Sequence, residues 1–100
     1  MLEEIITLEP GQLVRSRAGR DKGKHYLVLK IWDEKTVLLV NGKNRTLDKP
    51  KKKNIIHLQK YRRKVDDFTE RLAAKEINDE KIAALIKNMV QEKEAAQREV

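Results

Sequence analysis

Cysteine is absent from the 100 residues. That excludes disulfides and thiolate metal sites, and it suits a reducing compartment such as the cytoplasm. Long apolar runs are absent too, since nothing approaches the ~20 residues of a membrane span. Met1–Leu8 has two glutamates among its first four residues and no basic region ahead of an apolar stretch, so it does not read as a secretion signal. Aromatic side chains are scarce: Tyr26, Trp32, Tyr61 and Phe68. Barrel core or a helix-docking surface is the expected place for most of them. Trp32 and Tyr26 are the candidates for stacking on a base, and Trp32, at a strand end beside a turn, is the better of the two.

Catalytic constellations are missing as well. His25 and His57 fall in separate expected strands with no Ser or Cys nucleophile at hand. Asp66-Asp67 and Asp79-Glu80 sit where helix N-termini favour negative charge. There is no His-Glu-x-x-His and no Walker-type loop, and Gly19-x-x-x-Gly23 is too short to cradle a nucleotide. No enzymatic activity, metal or cofactor is expected.

Positive charge, by contrast, is abundant. Lys and Arg number 23 against 16 Asp and Glu, a net +7, with pI ≈ 9.7. The balance is +10 over residues 1–65 and −3 over residues 66–100. A basic first part followed by an acidic remainder is the footprint expected of a polyanion-binding surface on the first part. A charge-rich surface of the thermophile kind would not segregate in this way. The size is that of one domain, or of a small domain with an appendage. A core this small is marginal, since below about 70–80 residues a single core rarely supplies more than roughly 3–5 kcal/mol, so stability should rest on a few aliphatics or a bound partner.

Glu9-Pro10-Gly11 marks a turn, after which Gln12–Ser16 reads as a strand with Leu13 inward. Arg17–Lys24 is a polar loop, and His25–Trp32 is rich in strand-forming residues. Asp33-Glu34-Lys35 turns the chain into a buried strand, Thr36–Val40. Asn41-Gly42 is the strongest short-range hairpin signal, which makes Lys43–Leu47 the expected return strand. Asp48–Lys53 then reads as a loop and Asn54–Leu58 as a fifth strand. Five short strands with tight turns imply a small closed or nearly closed barrel.

From Val65 the period becomes helical. Val65, Phe68, Leu72 and Ala73 share a face, and Asp67 with Glu70 resembles a capping box. Asn78-Asp79-Glu80 is a place to start a second helix. Its apolar stripe is Ile82, Leu85, Ile86, Met89 and Val90, and it is expected to fray beyond Gln91. The division is therefore a barrel over 1–60 and a helical extension of one or two helices over 61–100. Whether that stripe covers its own barrel or a partner is open at this stage.

Residues Leu13–Lys24, with Gly19-x-x-x-Gly23-Lys24 at their centre and an apolar strand running on to Trp32, resemble the KOW motif of RNA-binding proteins. A tight inter-strand loop needs a positive φ where a side chain would clash, and a glycine there also bares backbone N–H groups to phosphate oxygens. The likeness covers roughly residues 10–58. Tyr26 stands where many KOW motifs have a further glycine, and the later stretches are similar to KOW-bearing large-subunit ribosomal proteins of the archaeal and eukaryotic branch. The resemblance implies an SH3-like five-stranded barrel. It also implies RNA contacts by Arg17, Arg20, Lys22 and Lys24, with Gly19 and Gly23 shaping the loop.

Arg15, His25 and Arg45 flank that surface, and Lys49-Pro50-Lys51-Lys52-Lys53 adds a second cluster of point charges suited to phosphate. Lys60, Arg62, Arg63 and Lys64 form a third, which would meet phosphate or cover the acidic helix. The expected role is that of a cytoplasmic, ribosomal or ribosome-associated protein contacting ribosomal RNA. It would be monomeric off the RNA, with the helices available to ribosomal proteins or a translation factor. Its rivals are a protein-interaction module of a transcription or translation factor, and a DNA-compacting basic protein without a recognition helix. A fragment ending near Lys64 is expected to fold and to keep the RNA affinity.

Overall fold

The computed structural model describes residues 7–97, with side chains as far as Gln91; most of Met1–Leu8 lies outside it. The strands are β1 (Gln12–Ser16), β2 (His25–Ile31), β3 (Thr36–Val40), β4 (Lys51–Asn54) and β5 (Leu58–Lys64), with a 3-10 turn at Ile55–His57 before β5. Two helices follow, α1 (Phe68–Ala73) and α2 (Asp79–Gln97). The strands make one antiparallel sheet in the order β4-β3-β2-β1-β5, so the chain is mainly β with two C-terminal helices.

Both faces of this sheet are apolar, which follows from strand alternation. Leu13, Leu27 and Val40 are cross-strand neighbours on one face. There they meet Tyr61, Val65, Phe68, Ile77, Ile82, Ile86 and Met89 in one buried cluster. The Ile82–Met89 stripe thus packs on its own sheet, with Leu85 and Val90 partly buried beside it. Val14, Tyr26, Val28, Val37, Leu39 and Leu58 fill the other, inner face together with Leu8. Register shifts between Gln12 and Val14 and between Val28 and Lys30 bend the sheet around that inner face. At the first shift the buried Gln12 side chain donates to the carbonyls of Tyr61 and Arg63.

The sheet is not a closed barrel. β4 and β5 are its two opposite edges, and no ladder joins them. The single 3-10 turn between them is pinned from both sides. Asn54 accepts from the Ile56 N–H at 3.0 Å, and the Ile55 N–H donates to the Lys35 carbonyl at 2.8 Å. The edges therefore leave a gap that side chains span instead of backbone.

Other local expectations also give way: the expected strand Asn54–Leu58 is mostly the 3-10 turn, and β5 runs instead from Leu58 to Lys64. Asn41-Gly42 makes no hairpin, and Lys43–Leu47 is not a strand; β3 pairs with β4, in the lysine run read as loop. Asn41 Oδ1 instead accepts from the backbone of Lys43 and Arg45, closing the loop on itself. Gly42, at φ +79°, lies against α2, where a Cβ would collide with the Asp79 carbonyl and the Ala83 backbone. The Leu47 N–H donates to Asp79 Oδ1 at 2.9 Å, completing the seat of the helix. Asp67 does precede α1, but in a left-handed conformation with no side-chain cap, and Ala73 is exposed. Asn78 caps α2 by accepting from the Lys81 N–H. That helix runs past Gln91 to Gln97, through residues of high helix propensity.

Candidate nucleic-acid interface

The loop between β1 and β2 holds Arg17, Arg20, Lys22 and Lys24, all exposed. Gly19 and Gly23 take φ of +88° and +91°, a conformation that strains any L side chain. Neither glycine is crowded, so it is backbone conformation and not space that asks for glycine here. The Ser16 N–H donates to the Lys24 carbonyl and the Gly23 N–H to the Ser16 carbonyl, which pinches the loop at its base. The Arg15 guanidinium lies beside Gly23.

The loop's one acid turns inward. Asp21 is buried and accepts from Ser16 Oγ (2.8 Å), Tyr26 OH (2.9 Å) and Lys53 Nζ (3.0 Å), with Lys51 Nζ at 3.5 Å. Burial by itself would raise its carboxyl. The hydrogen bonds from Ser16, Lys53 and Tyr26 and the charge of Lys51 outweigh that, and hold it well below the usual carboxylate range. Tyr26 is pushed up to about 12 by burial and by its bond to the Asp21 carboxylate, against a smaller opposing effect of Arg45. Lys53 Nζ also donates to the Ala18 carbonyl at 2.9 Å. This polar knot bridges the gap at the β4 edge, and it leaves only cations on the outside of the loop.

Strand alternation sorts the lysine run. Lys51 and Lys53 point to Asp21 and are half-buried, whereas Lys52 is exposed, 4.5 Å from the ring centroid of Trp32. Trp32 is 53% exposed. Lys49 is exposed and Arg45 half-buried in the loop ahead of β4. His25 is half-buried, its Nε2 3.2 Å from Tyr61 OH. Lys60, Arg62, Arg63 and Lys64 lie exposed on β5, where Lys64 pairs with Glu9 at 2.8 Å.

The fold thus brings the first loop, Arg45 and the β4 lysines together around Asp21 and Tyr26. The structural weight of Asp21, Ser16 and Tyr26 was not visible in the sequence, where Asp21 looks like one more loop charge; a lone acid among the four cations of the loop was the available signal. Among the described residues no group of three His, Asp or Glu side chains is placed to hold a metal, and no helix is long and apolar enough to cross a membrane. No protein-family model and no curated protein matches the chain.

Proposed function

We propose that this protein binds structured RNA, ribosomal RNA foremost, as a non-catalytic, cytoplasmic component or visitor of the ribosome. The observation that carries the reading is the inward turn of Asp21. With that carboxylate neutralised inside, Arg17, Arg20, Lys22 and Lys24 form a loop surface of one sign on a glycine-shaped frame. Such a surface suits phosphates and helical shape more than base edges. The two positive-φ glycines and the β1–β5 and β1–β2 pairings support a KOW-type, SH3-like domain. A second reading, a protein-docking module, draws on the exposed Ile31, Trp32 and Ile56.

The test is titration of the full chain with a ribosomal RNA fragment at several salt concentrations and in excess non-specific competitor. Each phosphate contact contributes about 0.7–0.9 to the slope of log affinity on log salt. Replacing Arg20 and Lys22 by Gln is expected to flatten that slope by one to two units, roughly equally across RNA sequences. An unchanged slope, or binding lost to competitor, would favour the docking module.

A further inference from the structure

A groove of ≈ 510 Å³ opens between the sheet and α2. Three exposed lysines from three separate stretches line it: Lys24 at the end of the β1–β2 loop, Lys43 after β3, and Lys87 on α2. No carboxylate is among its lining residues. Ala83 and Ala84, too small to fill it, and the buried Ile86 give it an apolar strip. Asn44 adds a polar edge: its Oδ1 accepts from Asn41 Nδ2 at 2.8 Å, while its own NH₂ donors make no bond among the described residues.

Three lysines set apart from one another match several phosphates along a chain better than the single phosphate group of a small molecule. The flat apolar strip with an amide at its edge matches the face and rim of one base. The volume falls within the ~300–1,000 Å³ usual for small-ligand sites, and where proteins add base contacts to backbone and shape recognition of RNA, they mostly take bases splayed out at bulges, loops and ends. Lys24 belongs to the cationic loop as well, so groove and loop form one continuous surface.

We propose that the groove takes a single unpaired nucleotide of the RNA, its flanking phosphates on Lys24, Lys43 and Lys87 and its base on the Ala83–Ala84 strip. This rests on the RNA-binding reading above. The experiment compares two RNA hairpins binding the full chain, identical except that one carries a bulged 2-aminopurine nucleotide. The bulged hairpin is expected to bind at least about fivefold tighter, with a change in 2-aminopurine fluorescence. Ala84→Gln, at an exposed helical position, fills the strip without altering charge; it should erase the preference and leave the paired hairpin's affinity within about twofold. Lys87→Gln should weaken the bulged hairpin more than the paired one.

Equal affinities with a silent fluorophore would overturn the groove assignment while leaving RNA binding intact. If adenosine monophosphate titrated alone shifts the groove resonances while the two hairpins bind equally, the site is one for a free nucleotide and the RNA-borne form is overturned. Failure of both hairpins against competitor would overturn the RNA-binding reading, and this assignment with it.

Discussion

The two faces of the sheet are buried by different means. The face carrying Leu13, Leu27 and Val40 is covered by α1, α2 and the segment between them, largely through apolar side chains. The inner face, with Val14, Val28 and Leu39, lies within the bend of the sheet, and its open side at β4 is bridged by Asp21 and the lysines that hold it. The first face depends on area removed from water, the second also on one satisfied carboxylate. Consequently the helical face can be damaged without touching the cationic loop, whereas damage to the knot disturbs fold and loop together.

The largest effect is expected from ending the chain at Lys64. Sequence alone suggested that this fragment folds, but the shared core says otherwise. Leu13, Leu27, Val40 and Tyr61 would lose their cover, at about 1.5–3 kcal/mol for each large side chain. That approaches the whole ~5–15 kcal/mol stability of a domain. No cooperative urea transition is expected, and a fragment that melts cooperatively would show the inner face to be sufficient.

Asp21→Asn is expected to cost about 3 kcal/mol, because it leaves Lys53 and Lys51 facing a neutral amide inside the knot. It should also change the response to acid. The folded chain holds Asp21 below its ordinary range, so the unfolded chain takes up the proton first as pH falls. The stabilisation is complete above the unfolded value of about 3.9 and drains away as pH drops below it. Thermal melts between pH 7 and pH 2 should be visibly flatter for the Asn variant; parallel curves would place the acid sensitivity elsewhere.

A smaller difference separates neighbouring lysines. Lys53→Gln removes a half-buried charged donor with two acceptors and should cost about 1.5 kcal/mol. Lys52→Gln, on the solvent side, should stay within about 0.5 kcal/mol. Equal urea midpoints for the two would mean that β4 does not present alternate lysines to Asp21.

What was legible in the sequence was what local chemistry decides. β1 and β3 run as the apolar pattern suggested, and β2 ends one residue earlier. Gly19 and Gly23 have the positive φ that a pinched loop demands, and the Ile82–Met89 stripe is helical and largely buried. The misreadings share one cause. A run of lysines has poor strand propensity and no visible alternation; its ladder to β3 makes it a strand, and the distant Asp21 gives it an inside and an outside. Asn41-Gly42 is a hairpin signal by its dihedrals, yet here the missing Cβ serves the approach of α2. The groove shared by Lys43 and Lys87 joins residues 44 apart in sequence, which no local pattern encodes.

The seam between β1 and β5 bears on how the chain reaches this state. β1, β2 and β3 meet across short connections, but the partners of β1 on its other side, such as Lys64 for Gln12, lie some fifty residues on. The ends of a long segment must come together before that ladder rewards them, which slows the search. Leu58→Ala, on the seam, should therefore retard refolding; if α2 docks after that seam forms, Ile82→Ala should mainly hasten unfolding. The two arms of a denaturant chevron would separate these effects. During synthesis β1 must therefore wait for the whole of β5, some fifty residues on, before its second ladder can be completed.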